Sequence, residues 1–403
     1  MKIAILTSGF LPLPAVKGGA VENLIDMYLA YNDRHRLHDI TVYSVEEPDA
    51  HSHPALASTV NHYRYIDVDS LQARLLKSLH KLIRGKGYYH YTIEYYLKRA
   101  IDHIRKQHYD MIVIENRPGY ALKLKGRTNA QVVCHLHNDV LSDETPYAKE
   151  ICANLSGIVT VSDFLSQRVS TITNTSANKL LPTCITVHNG IDLTLFSPQA
   201  PTTARRSDYS MKPEDFVLVF SGRVIPEKGI GELIEAMLRL VDYPQIKLLV
   251  VGSSFYANNK KDSVFMTSLK EKSTQLGSRL VFTGYVPYDH VPSVLSLADV
   301  AVLPSVWNEP LGMTCIEAMA MGLPVITTRQ GGIPETVSES CAMLLPADEQ
   351  LVDSLAQAII ELYHQPEKRK NMHDAALRQA QHFSKETFAR HFFNAIEAVS
   401  SKD

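Results

Sequence analysis

Four charged residues in the second half of the chain have the types and spacing to do chemistry. Arg223 and Lys228, five apart in SGRVIPEKG, can neutralise a diphosphate without a metal, because arginine offers a bidentate fork and lysine a mobile point charge. Glu309 and Glu317 flank a turn and a short apolar run in NEPLGMTCIEAMAMGLPVI. Along a continuous helix, eight residues turn through about 800° and leave the carboxylates roughly 12 Å apart. That is too far for an acid and a base working on one bond, so the pair is read as two grips along an elongated, hydroxyl-rich ligand.

Strands must deliver these groups. VAVLPS ends at Ser305, and the loop WNEPLGM follows, since Pro310 removes an amide donor and Gly312 permits a tight path. A helix is expected from near Thr314, so that the amides of Leu311, Gly312, Met313 and Thr314 face negative charge. Thr314 and Glu317 also fit a capping box, the purely structural alternative for Glu317. Arg223 follows the strand FVLVF and precedes a helix whose apolar face includes Ile230, Leu233, Ile234 and Met237. Gly229-Ile-Gly231 lacks the third glycine of a dinucleotide fingerprint, which argues against NAD.

The first half carries further candidates. Gly18 and Gly19 precede a helical pattern with Val21, Leu24, Ile25 and Leu29 on one face, so their loop can come close to a phosphate or an acceptor. His135 and His137 end the strand QVVCHLH, where alternation puts both on one face. A His-x-His pair can bind metal, but no third ligand stands out nearby, and a structural role is the usual one for a strand histidine. Asp67-Val-Asp69 is the only DxD-like candidate.

Across all 403 residues, short β-branched runs alternate with longer helical periods, the pattern of parallel strands covered by helices on both faces. KIAIL, ITVYSV, DMIVIE, QVVCHL, GIVTVS and ITVHNG form one series; FVLVFSG, IKLLVVG, RLVFTG, VAVLPS, PVITT and CAMLLP form another. The fold class is therefore α/β, with two doubly wound domains: 1–195, a polar linker 196–215, and 216–382. An amphipathic helix over 383–403 is expected to pack back on the first domain. Ligands of such sheets bind beyond the carboxyl ends of the strands, and in a cleft if two such ends face each other.

A formal net charge of −2 gives no global reason for a nucleic-acid partner. The five cysteines, Cys134, Cys152, Cys184, Cys315 and Cys341, lie far apart without zinc spacing or a disulfide framework, which fits a reducing cytoplasm. No apolar run reaches membrane-spanning length, and the N-terminus is too short of apolar residues for a signal peptide. Residues 71–110 are locally basic, with Lys77, Lys81, Arg84, Lys86, Lys98 and Arg99 interleaved with tyrosines. Such a surface suits an anionic inner leaflet or a phosphorylated glycolipid, or else is a solvated helical face over buried tyrosines.

Together, GRVIPEKG, EPLGMTCIEAMAMGLPVI and VHNGID at 187–192 resemble retaining glycosyltransferases of family 4, with the GT-B fold. GRVIPEKGI, KLLVVGSSFYANNKKD and VCHLHND look most like bacterial lipopolysaccharide-core N-acetylglucosaminyltransferases. The resemblance implies a UDP-sugar donor, a glycan or glycolipid acceptor, and no metal or other cofactor. It assigns the diphosphate to Arg223 and Lys228, sugar hydroxyls to Glu309, and sugar and phosphate to the amides near Gly312 and Met313. By the same resemblance Glu317 holds the ribose, Tyr285 or Val286 the base, and His137 the donor sugar. The usual glutamate after the glycine pair falls one residue late, at Glu22. An epimerase, a phosphorylase or a non-catalytic carbohydrate-binding protein could use the same architecture.

Overall fold

The computed structural model describes residues 1–84, 91–172, 182–253 and 264–401, without the side chains of 78–84. The chain divides into two compact units, Met1–Gly190 with Lys385–Asp403, and Ile191–Ser384.

Seven strands form the sheet of the first unit: β1 (Lys2–Leu6), β2 (Asp39–Val45), β3 (Asn61–Ile66), β4 (Met111–Glu115), β5 (Gln131–Leu136), β6 (Gly157–Thr160) and β7 (Thr183–Thr186). Their order is β3-β2-β1-β4-β5-β6-β7, and every pairing is parallel. Side chains alternate between two cores, as a pleated strand requires. Ile3, Ile5, Val113 and Val133 meet the helix Ala20–His35 and the final helix Lys385–Ser400, while Ala4, Leu6, Ile112 and Cys134 face the opposite side. Burial on both faces explains why these strands read as unbroken apolar runs.

The final helix belongs to this unit. Tyr28 stacks on Phe392 at 4.3 Å and 14°, and Phe388, Phe393 and Ile396 are buried beside them.

The second unit has six strands: β8 (Phe216–Ser221), β9 (Ile246–Val251), β10 (Leu280–Gly284), β11 (Val300–Leu303), β12 (Val325–Thr328) and β13 (Ala342–Leu345). They are all parallel, in the order β10-β9-β8-β11-β12-β13. Both orders reverse beside the first strand of the sheet, between β1 and β4 and between β8 and β11. That reversal is where doubly wound sheets bind ligands.

The border between the units falls at Gly190, ahead of the polar segment 196–215, and that segment is part of the second unit. Its anchor is Arg206, whose guanidinium donates to the carbonyls of Leu297, Pro213 and Asp215 and to Asp299 at 2.8–3.0 Å. A polar, proline-punctuated composition does not reveal such a pin, because one half-buried guanidinium can satisfy several carbonyls at once.

In the basic stretch, Lys98 and Arg99 are exposed and Lys77 is half-buried. Lys86 lies outside the described residues, as do the side chains of Lys81 and Arg84. Tyr95 and Tyr96 are buried, and the Tyr96 hydroxyl bonds Thr7 and the carbonyl of Tyr43, so these two rings are core and not surface. Among the described residues no helix is long and apolar enough to cross a membrane.

Candidate active site

In the second unit the chemistry gathers at the reversal between β8 and β11. β8 ends at Ser221, and a 3-10 turn Pro226–Lys228 follows before the helix Ile230–Arg239. Gly229 closes that turn at φ 71°, and a Cβ there would lie 1.8 Å from the carbonyl oxygen of Pro304. Only glycine allows this approach, which brings Lys228 to the exit of β11. The amide of Val306 then bonds the carbonyl of Glu227, fixing one loop to the other.

Lys228 Nζ lies 2.6 Å from Glu309 Oε1, and the Ser305 hydroxyl donates to the same oxygen at 2.7 Å. Glu309 is 7% exposed. Its backbone is clamped from the far side, where the Gly332 amide donates to its carbonyl and a Cβ on Gly331 would lie 2.2 Å from that oxygen. Ser221, Lys228, Ser305, Glu309, Gly312 and Thr314 line one recess. Arg223 is exposed on the loop that leaves β8. Cys315 also borders the recess, but burial pushes its thiol up to about 12, so it is no nucleophile at neutral pH.

The helix carrying Glu317 runs from Met313 to Ala320, one residue earlier than expected. Its N-cap is Gly312, at φ 98°, and no side chain caps it. The capping-box alternative for Thr314 and Glu317 is therefore wrong: a box needs the threonine at the N-cap, and here it sits inside the first turn. Glu317 instead accepts a 2.9 Å hydrogen bond from the Tyr288 hydroxyl. Burial raises the carboxyl to about 7, against the opposing pull of that bond and of the Lys228 charge. Tyr288 packs its ring against Phe196, 5.3 Å between centroids. Leu311 is buried, Met313 and Val286 are half-buried, and Tyr285 is 48% exposed.

In the first unit, Gly19 is the N-cap of Ala20–His35 at φ 111°, Gly18 precedes it, and Glu22 is buried with Ser8 bonded to its carboxylate at 3.4 Å. At the end of β4, Glu115 faces His135 across the β4–β5 ladder. Its carboxylate takes the Tyr28 hydroxyl at 2.9 Å, His135 Nδ1 at 3.1 Å and His137 Nε2 at 2.9 Å. The third partner of the His-x-His pair is thus supplied from another strand. Two histidines and a carboxylate within 4.8 Å can hold a metal by donor type, yet all three are buried, without the open position that a catalytic zinc keeps. Burial alone would raise Glu115, but the two histidines outweigh it and hold the carboxyl down at about 2. Burial and the neighbouring His135 lower His137 to about 4. Asp67 is exposed and accepts the amide of Asp69 in a turn.

Sequence reading singled out Arg223, Lys228, Glu309 and Glu317, of which the structure joins Lys228 to Glu309 and leaves Arg223 exposed; it missed Ser305, Tyr288, Glu115 and Gly331. Tyr288 and Glu115 are ordinary residues whose partners come from distant segments, and Ser305 is a strand-end serine whose partner Glu309 is four residues on. The Gly331-Gly332 pair was the one visible signal of a close backbone approach.

A family model described as glycosyl transferases group 1 matches residues 202–379, the segment holding Arg223, Lys228, Ser305, Glu309 and Glu317. YtcC of Bacillus subtilis (strain 168), whose name is that of a glycosyltransferase, is 30% identical over 383 residues, 92% of this chain and 86% of that protein. The chain belongs to the group 1 glycosyl transferases. It is a glycosyltransferase enzyme. A lipopolysaccharide 1,2-N-acetylglucosaminetransferase of Salmonella typhimurium (strain LT2) is 25% identical over 260 residues, 64% of this chain and 65% of that enzyme. Among solved structures, Anabaena Alr3699/HepE in complex with UDP and glucose aligns with TM-score 0.70 and 20% identity over 99% of this chain and 100% of that one. That likeness is one of fold, and it matches this group 1 transferase to the GT-B architecture of two Rossmann-like domains.

Proposed function

We propose that the enzyme moves a hexose or N-acetylhexosamine from a UDP-sugar to a hydroxyl of a cell-surface glycan or glycolipid, with retention of anomeric configuration, as a family 4 transferase. The observation that carries this reading is the Lys228–Glu309–Ser305 cluster at the carboxyl ends of β8 and β11. A cation beside a sugar-hydroxyl acceptor suits the junction of diphosphate and sugar. The Alr3699/HepE complex with UDP and glucose supports a uridine nucleotide by likeness of fold.

Arg223 and Lys228 then stabilise the leaving diphosphate as positive charge develops on the sugar, together with the amides of Leu311, Gly312, Met313 and Thr314. Lys228 exchanges part of its bond to Glu309 for phosphate, and Glu309 turns to the sugar hydroxyls. Glu317 takes the ribose, Tyr285 and Val286 flank the base, His137 meets the donor sugar, and the loop of Gly18 and Gly19 serves the phosphate or the acceptor. No metal is required in this scheme, because the cations already balance the diphosphate. The acceptor is lipopolysaccharide core or a related polysaccharide, met at the inner face of the cytoplasmic membrane through Lys77, Lys98 and Arg99.

Thermal unfolding with UDP, GDP, ADP and NAD, each with and without EDTA, tests this. A ligand at a hundred times its dissociation constant adds about 2.7 kcal/mol. A UDP shift that ignores EDTA and vanishes in Arg223→Ala is expected. A response to GDP or NAD alone, or one abolished by EDTA, overturns it.

A further inference from the structure

Glu115 has an arrangement that its neighbourhood does not require for packing. Its carboxylate, 0% exposed, receives the Tyr28 hydroxyl on Oε1 and His137 Nε2 on Oε2, each at 2.9 Å, while His135 Nδ1 lies beside both oxygens, 3.4 Å from Oε1 and 3.1 Å from Oε2. A carboxylate only accepts, so each ring must present a hydrogen to it. The two histidines present different nitrogens to that one carboxylate. In His137 that hydrogen sits on Nε2.

What remains is a bare Nδ1 on His137, and it and His135 Nε2 are both buried without a hydrogen-bond partner among the described residues. His135 Nε2 belongs to a ring packed 5.1 Å from that of Phe392, inside the core. His137 lies just past the end of β5, where ligands of such sheets bind, and its backbone is also gripped: Asn116 Oδ1 accepts its amide at 3.1 Å. Consecutive residues, Glu115 and Asn116, thus hold the ring and the main chain of one histidine. A buried polar atom left without a partner calls for one, and a bare imidazole nitrogen can only accept.

We propose that Glu115 is a positioning residue that locks His137 in the Nε2–H tautomer, so that its buried Nδ1 receives a hydroxyl of the donor sugar. The chemical class follows from the tautomer: an O–H donor is accepted there, and an anionic phosphate oxygen is refused. This rests on the donor-sugar assignment of His137 above. The lock itself can be read without any substrate.

The experiment is long-range 1H–15N correlation on the full chain labelled at the histidine rings, with His137→Gln used to assign the signals, and metal analysis of the same sample. Wild type should show His137 with Nε2 protonated and Nδ1 bare. Glu115→Gln should lose the fixed pattern of His137, since an amide can donate as well as accept. Tyr28→Phe removes one donor to Glu115 but should keep the pattern. An Nδ1–H form of His137 in wild type, an unchanged pattern in Glu115→Gln, a pattern lost in Tyr28→Phe, or stoichiometric metal bound by wild type each overturns the proposal. The wild-type spectrum decides the matter even if Glu115→Gln fails to fold. Adding UDP-glucose then tests the donor reading separately: a perturbed Nδ1 supports it, and an intact lock without response counts against the donor assignment alone.

Discussion

Lys228 and Glu309, 81 residues apart in sequence, meet at 2.6 Å where the second sheet reverses its strand order. Glu309 is nearly buried, and the lysine and Ser305 are the groups bonded to its Oε1. A substrate that draws Lys228 away must therefore offer the carboxylate new hydrogen bonds, and hydroxyls of a sugar do so.

Removing one partner should cost more than removing both. Lys228→Met leaves a desolvated carboxylate and is expected to lower stability by about 3 kcal/mol, the low end for buried pairs because the lysine keeps some exposure. Lys228→Met with Glu309→Gln should recover part of that loss, and a double-mutant cycle from urea unfolding measures the coupling. Additive effects would show that the contact contributes nothing.

Glu317 makes stability depend on pH with a definite sign. Burial pushes its folded carboxyl up to about 7, above the ordinary 4.5, so the folded state holds the proton more tightly. The associated stability is full below about 4.5 and is lost as pH rises through 7, on the order of 3 kcal/mol in all. Unfolding curves of wild type minus Glu317→Gln from pH 4 to 8 should trace it, and Asp26, raised to about 6 by burial, cancels in the difference. Tyr288→Phe removes a bond that favours the carboxylate and should push the transition to higher pH.

Arg206 should matter although it lies in a segment of linker-like composition. Its guanidinium holds three carbonyls and Asp299. Arg206→Ala is expected to destabilise by about 2–4 kcal/mol, from several polar groups losing partners at once. Arg206→Lys should recover little, since an ammonium cannot reproduce the planar fork. Denaturant midpoints of the three proteins decide it.

Phe392→Ala should cost about 3–5 kcal/mol, the usual range for a buried aromatic. The ring is 0% exposed and stacks on Tyr28, whose hydroxyl bonds Glu115. Histidine-ring spectra of the variant should therefore also report disturbance at His135, which packs against the same ring.

The two parallel sheets were legible because strands buried on both faces must be apolar throughout, as KIAIL, MIVIE and FVLVFS are. Arg223, Lys228, Glu309 and Glu317 could be singled out because doubly wound sheets display their chemistry in the segments after strands, and of these the structure brings Lys228 and Glu309 into contact. The capping-box reading of Glu317 failed on two residues of helix register, since the N-cap is Gly312 and not Thr314, and no periodicity reveals that. Glu115 was hidden inside an apolar strand, and Tyr288 in a plain loop. Sequence alone determined the elements and the groups they carry, since periodicity and turn chemistry are local. Tertiary structure decided who meets whom: that Glu309 takes Lys228, that Glu317 takes Tyr288, and that one buried carboxylate holds two histidines. Those pairings depend on which strands become neighbours and how far each loop reaches, and they exist only once the sheets have closed.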